Sequence, residues 1–286
     1  MKLTPLRLLS PSTGKALAVL TAIKFAVVAN AATLLYEGFD YTGSNLDSAN
    51  GGSGWTTSWQ SNSALSADST ANIGSGSLVA PTDSVAPTGN SISLTDPGGQ
   101  VLAARGIAEP ARIDLGSDST FYFSFLAEKT TSGLYMNFRQ GNSTNVLSLA
   151  VSSGGAVTMT LDDVATSSGT VIANNYSYLY VGKIVGSSTG AATAYFTRYV
   201  EAPLQSLPSL EPESWLLEAT LPEASILFAD RIVLSGGSNR TVSYDEIRIG
   251  STWAEGVGVI PEPSAFAAIS GILVLGLAFT RRPSRS

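Results

Sequence analysis

The sequence predicts an all-β fold, a two-sheet β-sandwich, followed by a single C-terminal transmembrane helix. Three observations carry this reading. Short runs rich in β-branched and aromatic residues alternate at period two through the body of the chain. Clusters of Gly, Ser, Asn and Thr separate them, several with glycines free to take positive φ. Residues 264–280, 17 in all, then run without a charge; at about 1.5 Å each they reach roughly 25 Å, the span of a bilayer core.

The first 31 residues read as a signal peptide. Lys2, Arg7 and Lys15 make a basic leader, Ala16 to Val28 form an apolar stretch broken by Lys24, and Ala29-Asn30-Ala31 supplies a small-x-small pattern. Signal peptidase is expected to cut after Ala31. An amphipathic helix is a poor alternative, because the stretch is too evenly apolar to offer one face.

Residues 32–258 form the expected sandwich. Phe121–Leu126 (FYFSFL), Ala156–Leu161 (AVTMTL), Tyr178–Val181 (YLYV), Ala191–Val200, Arg231–Leu234 and Thr241–Tyr244 are the expected strands. Phe121, Phe123 and Phe125 share one face, as do Val157, Met159 and Leu161. Ser152–Gly155, Thr166–Gly169 and Ser235–Asn239 are turn sequences. No internal stretch keeps helical spacing for three turns; residues 202–223 come nearest, and there Trp215-Leu-Leu also reads as a strand. Val242 and Tyr244 have one parity, Ile247 and Ile249 the other. Either a bulge falls near Asp245-Glu246, or Asp245 points inward with the isoleucines.

Composition limits the chemistry. The chain has no Cys and no His. Disulfides, thiolate nucleophiles, Ser-His-Asp relays and His- or Cys-ligated metals are therefore excluded. Of 16 basic residues, four lie in the leader and three after residue 280, while all 22 acids lie between Ala32 and Glu262. That interval carries 9 − 22 = −13, which repels nucleic acid; no nucleic-acid partner is expected.

Pro261-Glu262-Pro263, the apolar run 264–280 and the basic end Arg281, Arg282 and Arg285 occur in that order over residues 259–286. The arrangement resembles the PEP-CTERM protein-sorting tail. The resemblance implies export, transient anchoring by the helix, and processing at the triplet by the membrane enzyme exosortase. The three arginines would act as the membrane stop, on the cytoplasmic side. Leu34–Tyr41 (LLYEGFDY), Gly54-Trp55, Tyr180–Val185 and Tyr244–Trp253 (YDEIRIGSTW) resemble laminin-G-like, concanavalin-A-like jelly rolls. That resemblance implies pairing of the first and last strands, bringing Glu37 near Asp245.

Catalysis finds little support. Retaining glycosidases on such scaffolds use Glu-x-Asp-x-Glu along one strand, and no such run occurs. Asp162-Asp163 and Asp245-Glu246 are adjacent, so on a strand each pair splits between faces. The chain is expected not to be an enzyme. Sugar contact has more material: Trp55 lies in a Gly/Ser/Asn loop near Trp59, Tyr36 and Tyr41, and Tyr176, Tyr178 and Tyr180 share a face. Trp55, Tyr176, Tyr178 and Tyr180 are the candidate glycan contacts; core packing is the alternative for each. No metal motif is present. Were Ca²⁺ bound, Glu37, Asp40, Asp162, Asp163, Asp245 and Glu246 would have to assemble a site across strands.

The expected function is that of an exported bacterial cell-surface or exopolysaccharide-associated protein, structural or adhesive. Its expected partners are signal peptidase, exosortase, the membrane and exopolysaccharide. A lectin-like carbohydrate-binding module is the alternative, and a secreted glycan-acting hydrolase the remaining one.

Overall fold

The computed structural model describes residues 33–61, 70–96, 101–131, 133–223, 225–236 and 240–259. In chain order the early strands are β1 (Leu35–Glu37), β2 (Gln60–Ser61), β3 (Thr70–Ile73), β4 (Ile92–Asp96), β5 (Leu102–Gly106) and β6 (Ile113–Asp114). The long central strands follow: β7 (Thr120–Lys129), β8 (Leu134–Gln140), β9 (Thr144–Val151), β10 (Ala156–Leu161), β11 (Val164–Val171), β12 (Ser177–Val185) and β13 (Thr193–Val200). The chain closes with β14 (Leu217–Thr220), β15 (Phe228–Ala229), β16 (Arg231–Gly236), β17 (Arg240–Gly250) and one helix, α1 (Trp253–Val257).

These strands make the expected two-sheet antiparallel sandwich. One sheet runs β14-β13-β12-β7-β17-β4-β3, with β1 added to β17; the other runs β11-β10-β9-β8-β16-β5-β2. The pair β15-β6 stands apart. First and last strands do pair, Leu35 with Ile249 and Glu37 with Ile247. The parity break in the last strand is a bulge: Asp245 opposes Leu126 and Arg248 opposes Ser124, so two residues face one, and Glu246 takes φ 51°.

The core between the sheets is aromatic. Phe123 packs against Phe138 across the sandwich at 4.8 Å between centroids, and Phe125 stacks on Tyr180 at 4.9 Å. Val157, Met159 and Leu161 close the other end, fully buried. Gly182 in β12 has a packing reason: a Cβ there would sit 2.0 Å from the Phe123 ring.

The larger sheet is also covered on its outer face. Tyr122, Leu126, Leu179, Val181 and Tyr199 meet Leu207, Trp253 and Val257 in a second apolar cluster. Glu211 fastens the 201–216 segment there, accepting from Tyr122 Oη at 2.5 Å and Lys183 Nζ at 2.6 Å. Residues 202–223 form no helix; Trp215 packs on Tyr195 and Trp253, and β14 follows it. Both faces of β7 and β12 are therefore apolar, as is usual for strands covered on both sides.

The transmembrane part of the expected fold class is corrected. Among the described residues no helix is long and apolar enough to cross a membrane. α1 has 5 residues, and its end is built in: Thr252 and Glu255 form a capping box, and Gly258 stops the helix at φ 70° in the left-handed region. Val259 then turns back to bridge Ser84. The segment 264–280 lies outside the described residues, as do Ala29, Ala31, Pro261, Glu262, Pro263, Arg281, Arg282 and Arg285. The expected localisation, export followed by anchoring through a C-terminal span, rested on that helix and is corrected with it.

Candidate functional site

The candidate residues nearest the start of the chain form a structural lock. Glu37, on β1, is 1 % exposed and accepts from Phe39 N at 2.9 Å, Tyr41 Oη at 2.6 Å and Trp59 Nε1 at 3.0 Å. Its ionic partner is Arg105 on β5. Arg105 gives Nε to Thr57 O at 2.8 Å, one Nη to Glu37 and Tyr41, and the other to Asn50 at 2.7 Å and Gly51 O at 2.9 Å. All five guanidinium donors are used. Trp55 lies over this guanidinium, 4.7 Å from its ring centroid, and gives its indole N–H to Tyr36 O at 3.1 Å. Trp55 is thus the lid of a buried ion pair rather than an open platform.

A second cluster forms at the β17 bulge. Asp245 is fully buried and accepts from Leu78 N at 2.9 Å and Glu246 N at 2.8 Å. Those two amides favour its carboxylate, but burial outweighs them and, with the neighbouring Glu246 charge, pushes its pKa up to about 8. Glu246 accepts from Tyr36 Oη and Thr88 N, both at 2.9 Å, and from Arg248 at 2.6 Å. These bonds tie β1, β17 and the 77–88 segment together.

The tyrosine row divides. Tyr180 is 1 % exposed, stacked between Phe125 and Phe196, and Tyr178 is buried beside it. Neither can offer a ring face to a sugar, which corrects both as glycan contacts: their shared face is the inner one. Tyr176 lies just before β12, in the turn, and is 42 % exposed. The six acids considered for Ca²⁺ do not converge either. Glu37 belongs to the Arg105 lock, Asp245 and Glu246 to the bulge, Asp162 and Asp163 to the β10–β11 turn, and Asp40 is exposed. Among the described residues no three metal-ligating side chains group together.

The open chemistry lies on the outer face of the seven-stranded sheet, where no apolar cluster sits among the described residues. β8, β9, β10 and β16 turn their apolar residues inward, which leaves Asn137, Arg139, Ser148, Thr158, Thr160 and Arg231 facing out. Three depressions mark this face. One of about 440 Å³ lies among Asn145, Ser148, Thr160, Asp162 and Asp163. The second, of about 290 Å³, is lined by Arg139 and Arg231, by Gln60 and Asn142, and by Leu102, Ala104 and Val233. The third, of about 350 Å³, shares Arg231 with it and adds Arg112, Glu109, Asp230 and Thr57. Ser148 donates to Asn137 at 2.6 Å and Arg139 to Asn145 at 2.8 Å, so neighbouring strands hold one another's polar groups in place. Sequence reasoning missed this surface. Its available signals were the alternations Tyr135, Asn137, Arg139 within LYMNFRQ and Thr158, Thr160 within AVTMTL.

No family model and no curated protein matches the chain. Among solved structures it is similar to a sialidase at 12 % identity and TM-score 0.46, over 84 % of this chain and 20 % of that one. It is similar to the T. cruzi calreticulin globular domain at 10 % identity and TM-score 0.43, covering 78 % of this chain and 95 % of that one. A third is the endo-β-1,4-glucuronan lyase from the fungus Trichoderma reesei, at 11 % and 0.40, covering 75 % and 97 %. The chain thus spans a fifth of the sialidase. The sialidase and the lyase are named for chemistry on glycans; likeness at this level says nothing of what this chain binds.

Proposed function

We propose that the chain is a non-catalytic glycan-contacting sandwich, structural or adhesive within exopolysaccharide, and that the outer face of the seven-stranded sheet is its contact surface. One observation carries the reading: among the described residues, no apolar cluster covers the outer face of this sheet, which bears Gln60, Arg139, Ser148, Thr158, Thr160 and Arg231. Such groups match the hydroxyl-rich edge of a polysaccharide chain, and several adjoining depressions suit repeated units better than one small ligand. The acids considered for catalysis support a non-catalytic role. Glu37, Asp245 and Glu246 are held by buried structural bonds, and Asp162 and Asp163 occupy a tight turn.

Affinity electrophoresis of the full chain through gels containing neutral or acidic polysaccharides tests this. Retardation by at least one polysaccharide is expected, and Thr160→Trp, which fills one depression, should weaken it. Leu210→Glu, on the segment covering the opposite sheet, should leave it unchanged. Equal retardation of Thr160→Trp and wild type would move the contact surface elsewhere. The Pro261-Glu262-Pro263 triplet is proposed as the signal that exosortase reads; intact-mass measurement should find the C-terminus trimmed in wild type and uncut at Ser286 when the triplet is replaced by alanines.

A further inference from the structure

Arg139 and Arg231 face each other. They are register partners on β8 and β16, both on the outer face, where directly opposed side chains have Cβ atoms about 4.5–5.5 Å apart. Like charges so placed repel, and guanidinium groups do not escape by losing a proton. Burial and the Arg231 charge both press on Arg139, lowering its pKa from the ordinary arginine value.

Among the described residues no carboxylate forms an ion pair with either arginine: the four ion pairs engage Arg105, Arg112, Lys183 and Arg248. Arg139 bonds the neutral Asn145 Oδ1, with a weaker contact to Asn142 O at 3.4 Å. The Arg231 side chain has no hydrogen-bond or ionic partner among the described residues. This is unusual in a body carrying −13, where acids are plentiful. The depression between the two arginines is otherwise lined by neutral groups: Gln60, Ser61 and Asn142, the half-buried Leu102 and Ala104, and the buried Val233.

Resting on the glycan-contact reading above, we infer that this depression is a subsite for a uronate unit, its carboxylate held between Arg139 and Arg231 and its ring against Leu102 and Ala104. A guanidinium fork matches a carboxylate in a planar, bidentate way, and two forks on one anion would turn the repulsion into attraction. Apolar side chains beside amide groups suit a ring with C–H faces and hydroxyl edges. The acidity of the body does not forbid this: of the nearby acids Glu109 is paired with Arg112 and Asp230 accepts from Gly141 N at 2.9 Å, and charges farther than a Debye length, about 8 Å at physiological salt, are largely screened.

The test is calorimetric titration of the full chain with tetragalacturonate, its fully methyl-esterified form, a neutral gluco-oligosaccharide, and inorganic sulfate. The acid should bind, and more weakly as salt rises; the methyl ester, identical in ring and lacking the charge, should bind about tenfold or more weaker. Arg231→Gln should cause a similar loss without lowering the thermal midpoint, since it removes a repulsion, and Arg231→Lys should fall between. Equal binding of acid and ester, an unchanged affinity in Arg231→Gln, or binding of sulfate without galacturonate would overturn the uronate subsite while leaving a glycan role standing. Binding of none of the saccharides would remove the broader glycan reading, and this subsite with it.

Discussion

Arg105 and Arg231 sit on neighbouring strands of one sheet, each one step from the other's partner in the ladder: Arg105 opposes Ile232, and Arg231 opposes Gly106. Their surroundings could hardly differ more. Arg105 points inward, 1 % exposed, with every donor used and a carboxylate beside it. Arg231 points outward, half-buried, beside another arginine. A single step along a strand changes the face, and with it the work a guanidinium can do. The inward one must be neutralised and saturated, because an unpaired buried charge is intolerable. The outward one can remain unsatisfied, and so stays available to a ligand. The clusters at Glu37 and at Glu246 therefore read as stability, and the open pair is the proposed recognition site.

The largest expected effect breaks the inward member. Glu37→Ala strands Arg105 and leaves the Phe39, Tyr41 and Trp59 donors without their acceptor; it should cost about 3–5 kcal/mol in urea unfolding. A loss below about 1 kcal/mol would mean that the lock contributes little. Replacing Glu37 and Arg105 together by Leu and Met should recover part of the loss, as expected when a buried pair is exchanged for apolar volume.

Next is Asp245, whose carboxyl is raised from 3.8 to about 8 by burial. The group is protonated when folded and ionised when unfolded between those values, so the unfolded state binds fewer protons there. Stability should accordingly fall as pH rises from about 4 to about 8, and level off outside that window. Denaturation midpoints of wild type and Asp245→Asn across the window check it: the variant should show a flatter profile. An identical slope in both would assign the pH dependence to another group.

Trp55→Ala sharpens the comparison by separating lid from platform. It should cost about 2 kcal/mol through lost packing and cation–π contact over Arg105, with glycan affinity unchanged. A loss of affinity at unchanged stability would restore Trp55 as a sugar contact. Tyr176→Ala should be the smallest change, within about 0.5 kcal/mol, as for a surface site without special bonds.

How far the sequence could be read follows from the physics of each element. β7, β10 and β16 were legible because their core-facing residues are large and apolar at period two. The bulge at Asp245-Glu246 was legible as a break in parity. The tyrosine row misled for a related reason. Alternation reveals two faces but not which is inner, and β12 is buried on both. β8 and β9 passed unnoticed because half of each is polar and faces out, and those outward halves carry most of the candidate site.

What the sequence alone determined therefore includes the strand character of β7, β10, β12, β13 and β16, the exclusion of His and Cys chemistry, and the acid excess, since these depend on composition and on neighbours in the chain. Thr166–Gly169, which reads as a turn, lies within β11. Tertiary structure decided the rest. Glu37 meets Arg105 across 68 residues, and Arg139 meets Arg231 only because β16 inserts between β8 and β5. Sheet order and register arise from packing two faces against one core, and no local period encodes which distant strand will lie alongside.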